Sequence, residues 1–363
     1  MQRQTIMISG ARAPVALELA RSFYKQGHMV IMLDVQRFTI SRWSKAVDIY
    51  YTIPSPRYDR DGFVSKLSEI VLKENVDHFI PTCEEAIYVS ACKDKLTCEV
   101  WTVDLDLMLK LHNKYRFATE FGHLLPIPNT ILLKNFQDWN ASKSCVFKPV
   151  YSRFATAVLI GKKLSSAYFV HEDKTKWIAQ TFIEGKEICV YSIWANGKLK
   201  AYSAYHPLYR AGKGAGVFFE PVHYPNVYED VVRFGSEIRY HGQLCFDVII
   251  DQAHKHYFIE CNPRATSGAH LLNENIAKAF LYDEGVIIQN QKEYAIKYAM
   301  AILHPFSLLK KRVMRADDVI FKWNDILPFL LQFTALLELL YIKLSKKIGW
   351  LEASTADIEW NED

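Results

Sequence analysis

The sequence predicts an α/β protein: a doubly wound parallel N-terminal sheet, then an α+β region with antiparallel sheets, then a helical C-terminal segment. Three observations predict it. Apolar runs of strand length alternate with amphipathic helical runs over the first 85 residues or so. Beyond about residue 111, strand follows strand with only turns between them. Near the end, ILPFLLQFTALLELLYI (326–342) is almost wholly apolar.

Each element has its own signature. TIMISG (5–10) is a short apolar strand closed by glycine, and APVALELARSFYKQG (13–27) carries helical spacing at Val15, Leu19 and Phe23 before Gly27 stops it. MVIMLD (29–34) is the next strand. DGFVSKLSEIVLKENV (61–76) is a second amphipathic helix, and DHFIPTCEE (77–85) is a strand running into a loop. Ligands of such sheets sit beyond the C-terminal strand ends. SGARAP has one glycine, so no GxGxxG dinucleotide fingerprint is present, and Asp34 reads as a turn or capping residue. Glu84 is open to two readings, a substrate contact in the crevice or an acid at a helix N-terminus.

KLHNKYRFATEFGHLLPIPNTILL (110–133) reads as a helix interrupted at Gly122, then a turn into a strand. Cys145–Pro149 and Thr156–Ile160 read as strands, as does a pair around IEGKE (183–187), with a hairpin turn at Asn196-Gly197. Lys148 lies late in an apolar strand, where its ammonium needs an anion or water.

Composition excludes several classes. The 363 residues are 50% hydrophobic and 23% charged, ordinary for a soluble globular protein of two or three packed units. A net charge of +4 gives no reason to expect nucleic acid. Seven scattered cysteines without a CxxC pair suit a reducing, cytoplasmic setting, with no zinc site or disulfide framework. The N-terminal stretch lacks the apolar core of a signal peptide.

The chemistry concentrates in LCFDVIID (244–251) and YFIECNPRATSGAH (257–270). If QAHK (252–255) is the hairpin loop, with Asp251 opposite His256, then Asp247 stands directly opposite Glu260. Alternation puts Phe258, Glu260 and Asn262 on one face and Cys261 on the other, as a core thiol. Two facing carboxylates among apolar side chains need a shared proton or a cation. Asn262 adds a neutral oxygen, and the set suits Mg²⁺, with Mn²⁺ as an alternative ion. Lys114, Lys148, Arg210 and Lys213 are available for phosphate charge.

These residues, in this order, resemble the ATP-grasp superfamily of ATP-dependent carboxylate–amine and carboxylate–thiol ligases. The match runs through Lys114 opening a helix, Lys148 before Pro149, the QTFIEGKE stretch (180–187) and the Asp247, Glu260, Asn262 set. ECNPR is similar to the carbamoyl-phosphate-synthase and biotin-carboxylase branch. The resemblance implies a Rossmann-like domain (1–110), small and large ATP-grasp subdomains (111–185 and 186–304) and a helical extension (305–363). It implies ATP as cofactor, with Lys114 and Lys148 on its phosphates. Gln180, Thr181, Phe182 and Ile183 would line the adenine pocket, and Glu187 would accept from the ribose. Asp247, Glu260 and Asn262 would hold Mg²⁺. Arg264 would meet the carboxylate or acyl-phosphate, and Arg210 the transferring phosphoryl group. Glu84, Arg153, His206, Lys213, Ser267 and Gly268 are candidate substrate contacts.

One departure stands out: the phosphate-covering loop, VYSRFATA (150–157), has no glycine, and Arg153 is its candidate substitute contact. The implied reaction couples a small carboxylate, activated as an acyl-phosphate, to an amine. Phosphorylation without ligation, carbamoyl-phosphate-type synthesis and a non-catalytic nucleotide sensor remain alternatives. A homodimer is allowed. The 326–342 segment falls short of a bilayer span and reads as a helix packed on the body or on a subunit partner. Peripheral membrane attachment through its basic flank is the lesser reading. The tail STADIEWNED reads as a surface segment.

Overall fold

The computed structural model describes residues 2–133, 145–152, 158–160, 176–212 and 214–360. Five parallel strands, β1 (Thr5–Ser9), β2 (Met29–Asp34), β3 (Ile49–Thr52), β4 (His78–Ile80) and β5 (Glu99–Val100), form a sheet in the order β3-β2-β1-β4-β5. The helices α1 (Pro14–Lys25), α2 (Arg60–Lys73) and α3 (Ala86–Cys92) follow β1, β3 and β4. β1 and β2 are apolar almost throughout because both of their faces are covered.

The helical run expected to break at Gly122 breaks earlier. It forms α4 (Leu105–His112) and α5 (Lys114–Phe121), and Gly122 only follows the end of α5. Asn113 makes the break, its side-chain oxygen accepting from the amides of Tyr115 and Arg116.

Two further sheets follow. The smaller is antiparallel in the order β6 (Thr130–Leu133), β9 (Trp177–Thr181), β7 (Cys145–Pro149), β8 (Leu159–Ile160). The larger is mixed, and its core order is β14 (His256–Asn262), β13 (Gly242–Asp251), β10 (Gly185–Ala195), β11 (Lys198–Ala211), β12 (Ala215–Pro221). The strands flanking IEGK therefore do not pair, since β9 belongs to the small sheet and β10 to the large one. The Asn196-Gly197 turn is present between β10 and β11, with both residues at positive φ.

The β13–β14 register corrects the sequence expectation in one particular. His256 faces Ile250, not Asp251, and the ladder shifts by one residue between Asp247 and Val248. Ile259 is the extra residue of that bulge, and beyond it Asp247 and Glu260 are partners after all. The bulge also resets the alternation. Phe258 sits with Cys261 in the core, beside Phe246, Val248, Phe117 and Phe234, not on the face of Glu260. Burying each such phenylalanine contributes about 2 kcal/mol. On the other side of the large sheet, Tyr191, Ile193 and Cys245 share a core with Ala16, Leu19 and Phe23 of α1. The two sheets are joined there by apolar packing.

Two expectations about the C-terminal region need correcting. The apolar segment is a helix of 20 residues, Leu327–Lys346, so by length and composition alone it is long enough to cross a bilayer. It packs on the body along one side: Phe329 and Ala335 pack against the buried cluster that includes Leu17 and Ile40, and Glu338 accepts from the backbone amides of Arg37 (2.9 Å) and Phe38 (2.6 Å). The tail is not a free surface segment. Ala353, Ala356, Asp357 and Ile358 are buried, and Trp360 packs edge-on to Tyr88. Arg12 holds the tail, donating to both Asp357 carboxylate oxygens (2.6 and 2.8 Å) and to the Ser354 carbonyl, while its other edge grips Asp34. The turn expected at Asp34 is present, through the Gln36 amide.

Candidate functional site

The site forms where the edge of the large sheet meets the small sheet and α5. Strand pairing places Cys189, Asp247 and Glu260 in one row across β10, β13 and β14. Glu187 lies two residues from Cys189 on the same face, and Glu187, Cys189 and Asp247 bring their ligand atoms within 4.8 Å of one another. Asn262 donates toward Asp247 at 3.4 Å, while its amide oxygen faces Arg264 at 3.4 Å. Turned over, the amide would offer that oxygen to the same space as the carboxylates.

Two lysines close the site from the other side. Asn113 sets the first turn of α5 so that Lys114, wholly buried, reaches Glu260 at 3.2 Å and the Ser152 carbonyl at 3.0 Å. Lys148, on β7, donates to the Ile259 carbonyl at 3.0 Å, the carbonyl that the bulge swings out of the ladder. Both ammonium groups thus stand beside the acidic pair.

The charges are strongly perturbed. Burial pushes the Asp247 carboxyl up to about 7, and the facing Glu260 and then Glu187 push the same way. Burial also works to raise Glu260, but Lys114 and Lys148 outweigh it and hold Glu260 below the usual range. Burial lowers the Lys148 ammonium to about 8; Glu260 opposes that shift and Lys114 adds to it. The Cys189 thiol is raised by burial and by Asp247 and Glu187, which keeps it from acting as a thiolate. Three carboxylates converging from three strands, one of them raised by burial and by the other two, fit a divalent cation.

The arginines frame this centre. Arg210 pairs with Glu187 at 2.8 Å and donates to the Gly214 carbonyl. Arg264 donates to Glu84 at 2.8 Å, and its guanidinium is raised above its ordinary value by Glu84 against the effect of burial. Glu84 is therefore tied to the far side of the Asp247–Asn262 cluster, with His112 Nε2 3.6 Å from its second oxygen. The His206 ring nitrogen meets the Glu187 carbonyl at 2.8 Å.

Other candidates are placed apart. Gln180 is buried in the small sheet and donates to Thr130, and Thr181 is exposed at the strand end, its amide bonded to Asn129. Phe182 and Ile183 follow in the half-buried link between the two sheets. Ser267 is half-buried and opens a 3-10 turn, and Gly268 packs against Tyr191 while its carbonyl accepts from Ser203. Arg153 and Lys213 lie outside the described residues. His270 meets Glu18 in the interior, away from the acids.

Sequence reasoning did not single out Cys189 or His112, and the resemblance gave Glu187 to the ribose. Period-two alternation along β10 was signal enough to join Cys189 to Glu187. No local signal joins His112 to Glu84.

Residues 111–268 match a family described as the ATP-grasp domain. Among solved structures, L-amino acid ligase from Bacillus licheniformis aligns over 76% of this chain and 70% of its own, at TM-score 0.58 and 14% identity. N5-Carboxyaminoimidazole synthetase from Staphylococcus aureus, complexed with ADP, aligns over 80% and 81%, at 0.62 and 14%. The biotin carboxylase–β-γ-ATP complex from Campylobacter jejuni aligns over 77% and 71%, at 0.61 and 15%. No curated protein matches the sequence. At these identities the likeness to the solved structures is one of fold.

Proposed function

Because residues 111–268 match the ATP-grasp domain family, we propose that this chain is an ATP-dependent ligase that activates a carboxylate as an acyl-phosphate and joins it to an amine. One observation carries this reading: Asp247 and Glu260 face each other across β13 and β14 beside two buried lysines. That arrangement holds fixed charge of both signs ready for a phosphate chain and its counterion. We propose the division 1–110, 111–185, 186–304 and 305–363, although Asp317–Asp318 still pairs with the large sheet.

Asp247, Glu260 and Asn262, joined by Glu187, would hold Mg²⁺, which when bound neutralises phosphate charge and draws the reacting oxygens together. Lys114 and Lys148 would bind the phosphates, releasing the contacts to Ser152 and Ile259 that they make here. Phe182 and Ile183 lie in the link between the two sheets, with Gln180 and Thr181 at the end of β9 before them. The four would line a place for the adenine base against backbone and apolar side chains. Glu187, paired with Arg210 and close to Asp247, would serve the metal side rather than the ribose. Arg210 would lie over the transferring phosphoryl group. Arg264, positioned by Glu84, would bind the acid and its acyl-phosphate. Transfer between two anions is largely a matter of placing such charges beforehand. His206 and Ser267 border the acceptor side.

The experiment is phosphate release from ATP and Mg²⁺ across a panel of carboxylic acids, each with and without amines. Release that requires both an acid and an amine, with a coupled product by mass spectrometry, is the expected result. Release indifferent to amines overturns the ligation step, and ATP binding without turnover on any pair overturns the enzyme reading.

A further inference from the structure

The helix Leu327–Lys346 presents an exposed stripe of Leu330, Phe333, Leu337, Tyr341 and Leu344, each 48 to 72% accessible. Their spacing of three or four residues puts them on one face, opposite the side held by Phe329, Ala335 and Glu338. A stripe of this size left in water marks an interaction surface. A second group with the same chemistry, Phe306, Leu309 and Met314, is exposed in the preceding turns.

Charge identifies what fits. From Tyr294 to Ala316 there is no acidic residue, while Lys310, Lys311 and Arg315 lie exposed there. From Ile326 to Leu351 the one acid is Glu338, which is spent on the backbone of Arg37 and Phe38. Lys343, Lys346 and Lys347 close the helix, and among the described residues none of these six cations has a carboxylate partner. Instead Lys343 sits over the Trp350 ring and Lys346 over the Tyr58 ring. Trp323 and Trp350, at the two ends of the helix, are exposed.

We propose that this face docks in the plane of an anionic lipid surface, with the leucines and aromatics in the acyl boundary and the lysines among the headgroups. A second copy of the chain fits worse. A two-fold axis across the helix would set the two copies antiparallel, with each lysine-bearing end beside the other's start. There Asp325 is already buried against Arg21, while Glu338 is held by backbone amides. A spanning helix also fits worse, because Glu338 and the buried Gln332 fix one side to the body and the chain returns through Arg12.

The test is sedimentation of the full chain with vesicles of equal parts phosphatidylglycerol and phosphatidylcholine, or of phosphatidylcholine alone. Binding is expected to the anionic vesicles only, reversed by high salt, with a blue shift of tryptophan emission that Trp350→Phe diminishes. Changing Lys343, Lys346 and Lys347 together to Gln should weaken binding on the order of a hundredfold. Leu337→Glu should weaken it about tenfold or more. Neither change touches the nucleotide site, so the thermal shift with ATP and Mg²⁺ should be kept; the lysine variant decides the matter should Leu337→Glu fail to fold. No binding to anionic vesicles, equal binding to neutral ones, or binding that survives salt and carbonate extraction overturns the proposal. So does a solution dimer that Leu337→Glu dissociates without any vesicle binding.

Discussion

Lys148 donates to the carbonyl oxygen of Ile259, and Ile259 is the one residue that breaks the register between β13 and β14. The bulge and the buried ammonium thus belong together. The bulge turns a carbonyl out of the ladder, and that carbonyl gives the lysine a partner where burial has already lowered it to about 8.

This relationship predicts a pH signature. A lysine lowered in the folded state costs stability wherever it is charged, so the cost is full below about pH 8 and fades as pH rises toward the ordinary lysine value of 10.5. Relative to Lys148→Met, the nucleotide-free protein should therefore gain on the order of 3 kcal/mol between pH 7 and pH 10.5. Urea midpoints at the two pH values measure it, and parallel curves for the two proteins would refute it.

Glu260→Gln removes the charge that offsets both lysines while keeping the side chain's shape. The Mg²⁺-dependent part of the ATP thermal shift should vanish, and turnover should fall by about a hundredfold or more. An unaltered shift would remove Glu260 from the cation site.

How much of this centre could be read beforehand is instructive. The Asp247–Glu260 pairing was counted from an Asp251–His256 match that the hairpin does not make. The one-residue error and the one-residue bulge cancel. Bulges answer to tertiary demands, here Lys148 on a neighbouring sheet, so nothing local to YFIECN announces one. The same blindness put Phe258 on the wrong face. Lys114 was placed through the resemblance alone; the local cap at Asn113 that sets it was not read, and the helix break was placed at Gly122 instead. The parallel N-terminal strands were legible because they are buried on both faces. The tail was not, since its partners lie some three hundred residues earlier.

Glu84 follows β4 of the first sheet and Arg264 follows β14, so their ion pair links those two strands. Glu84→Gln should destabilise the protein by about 3 kcal/mol, because it leaves a half-buried guanidinium unpaired. A double-mutant cycle with Arg264→Met should recover much of that loss. Strict additivity of the two changes in chemical denaturation would deny the coupling.

Gly268 was a candidate for substrate contact, yet a Cβ there would meet Tyr191 Cβ at 2.4 Å and Ser203 Oγ at 2.8 Å. Gly268→Ala is expected to cost about 1–3 kcal/mol through overpacking. Calorimetry would show this as a lowered Tm whether or not nucleotide is present. A normal Tm with impaired turnover would instead favour the substrate role.

Arg12 receives its second carboxylate from a residue 345 positions downstream. During synthesis on the ribosome, therefore, the rim of the first sheet stays bare until nearly all of the sequence described here has been made. Asp34 must hold that guanidinium alone in the interval, and the N-terminal unit reaches its final surface only when residues 354–360 arrive to cover it.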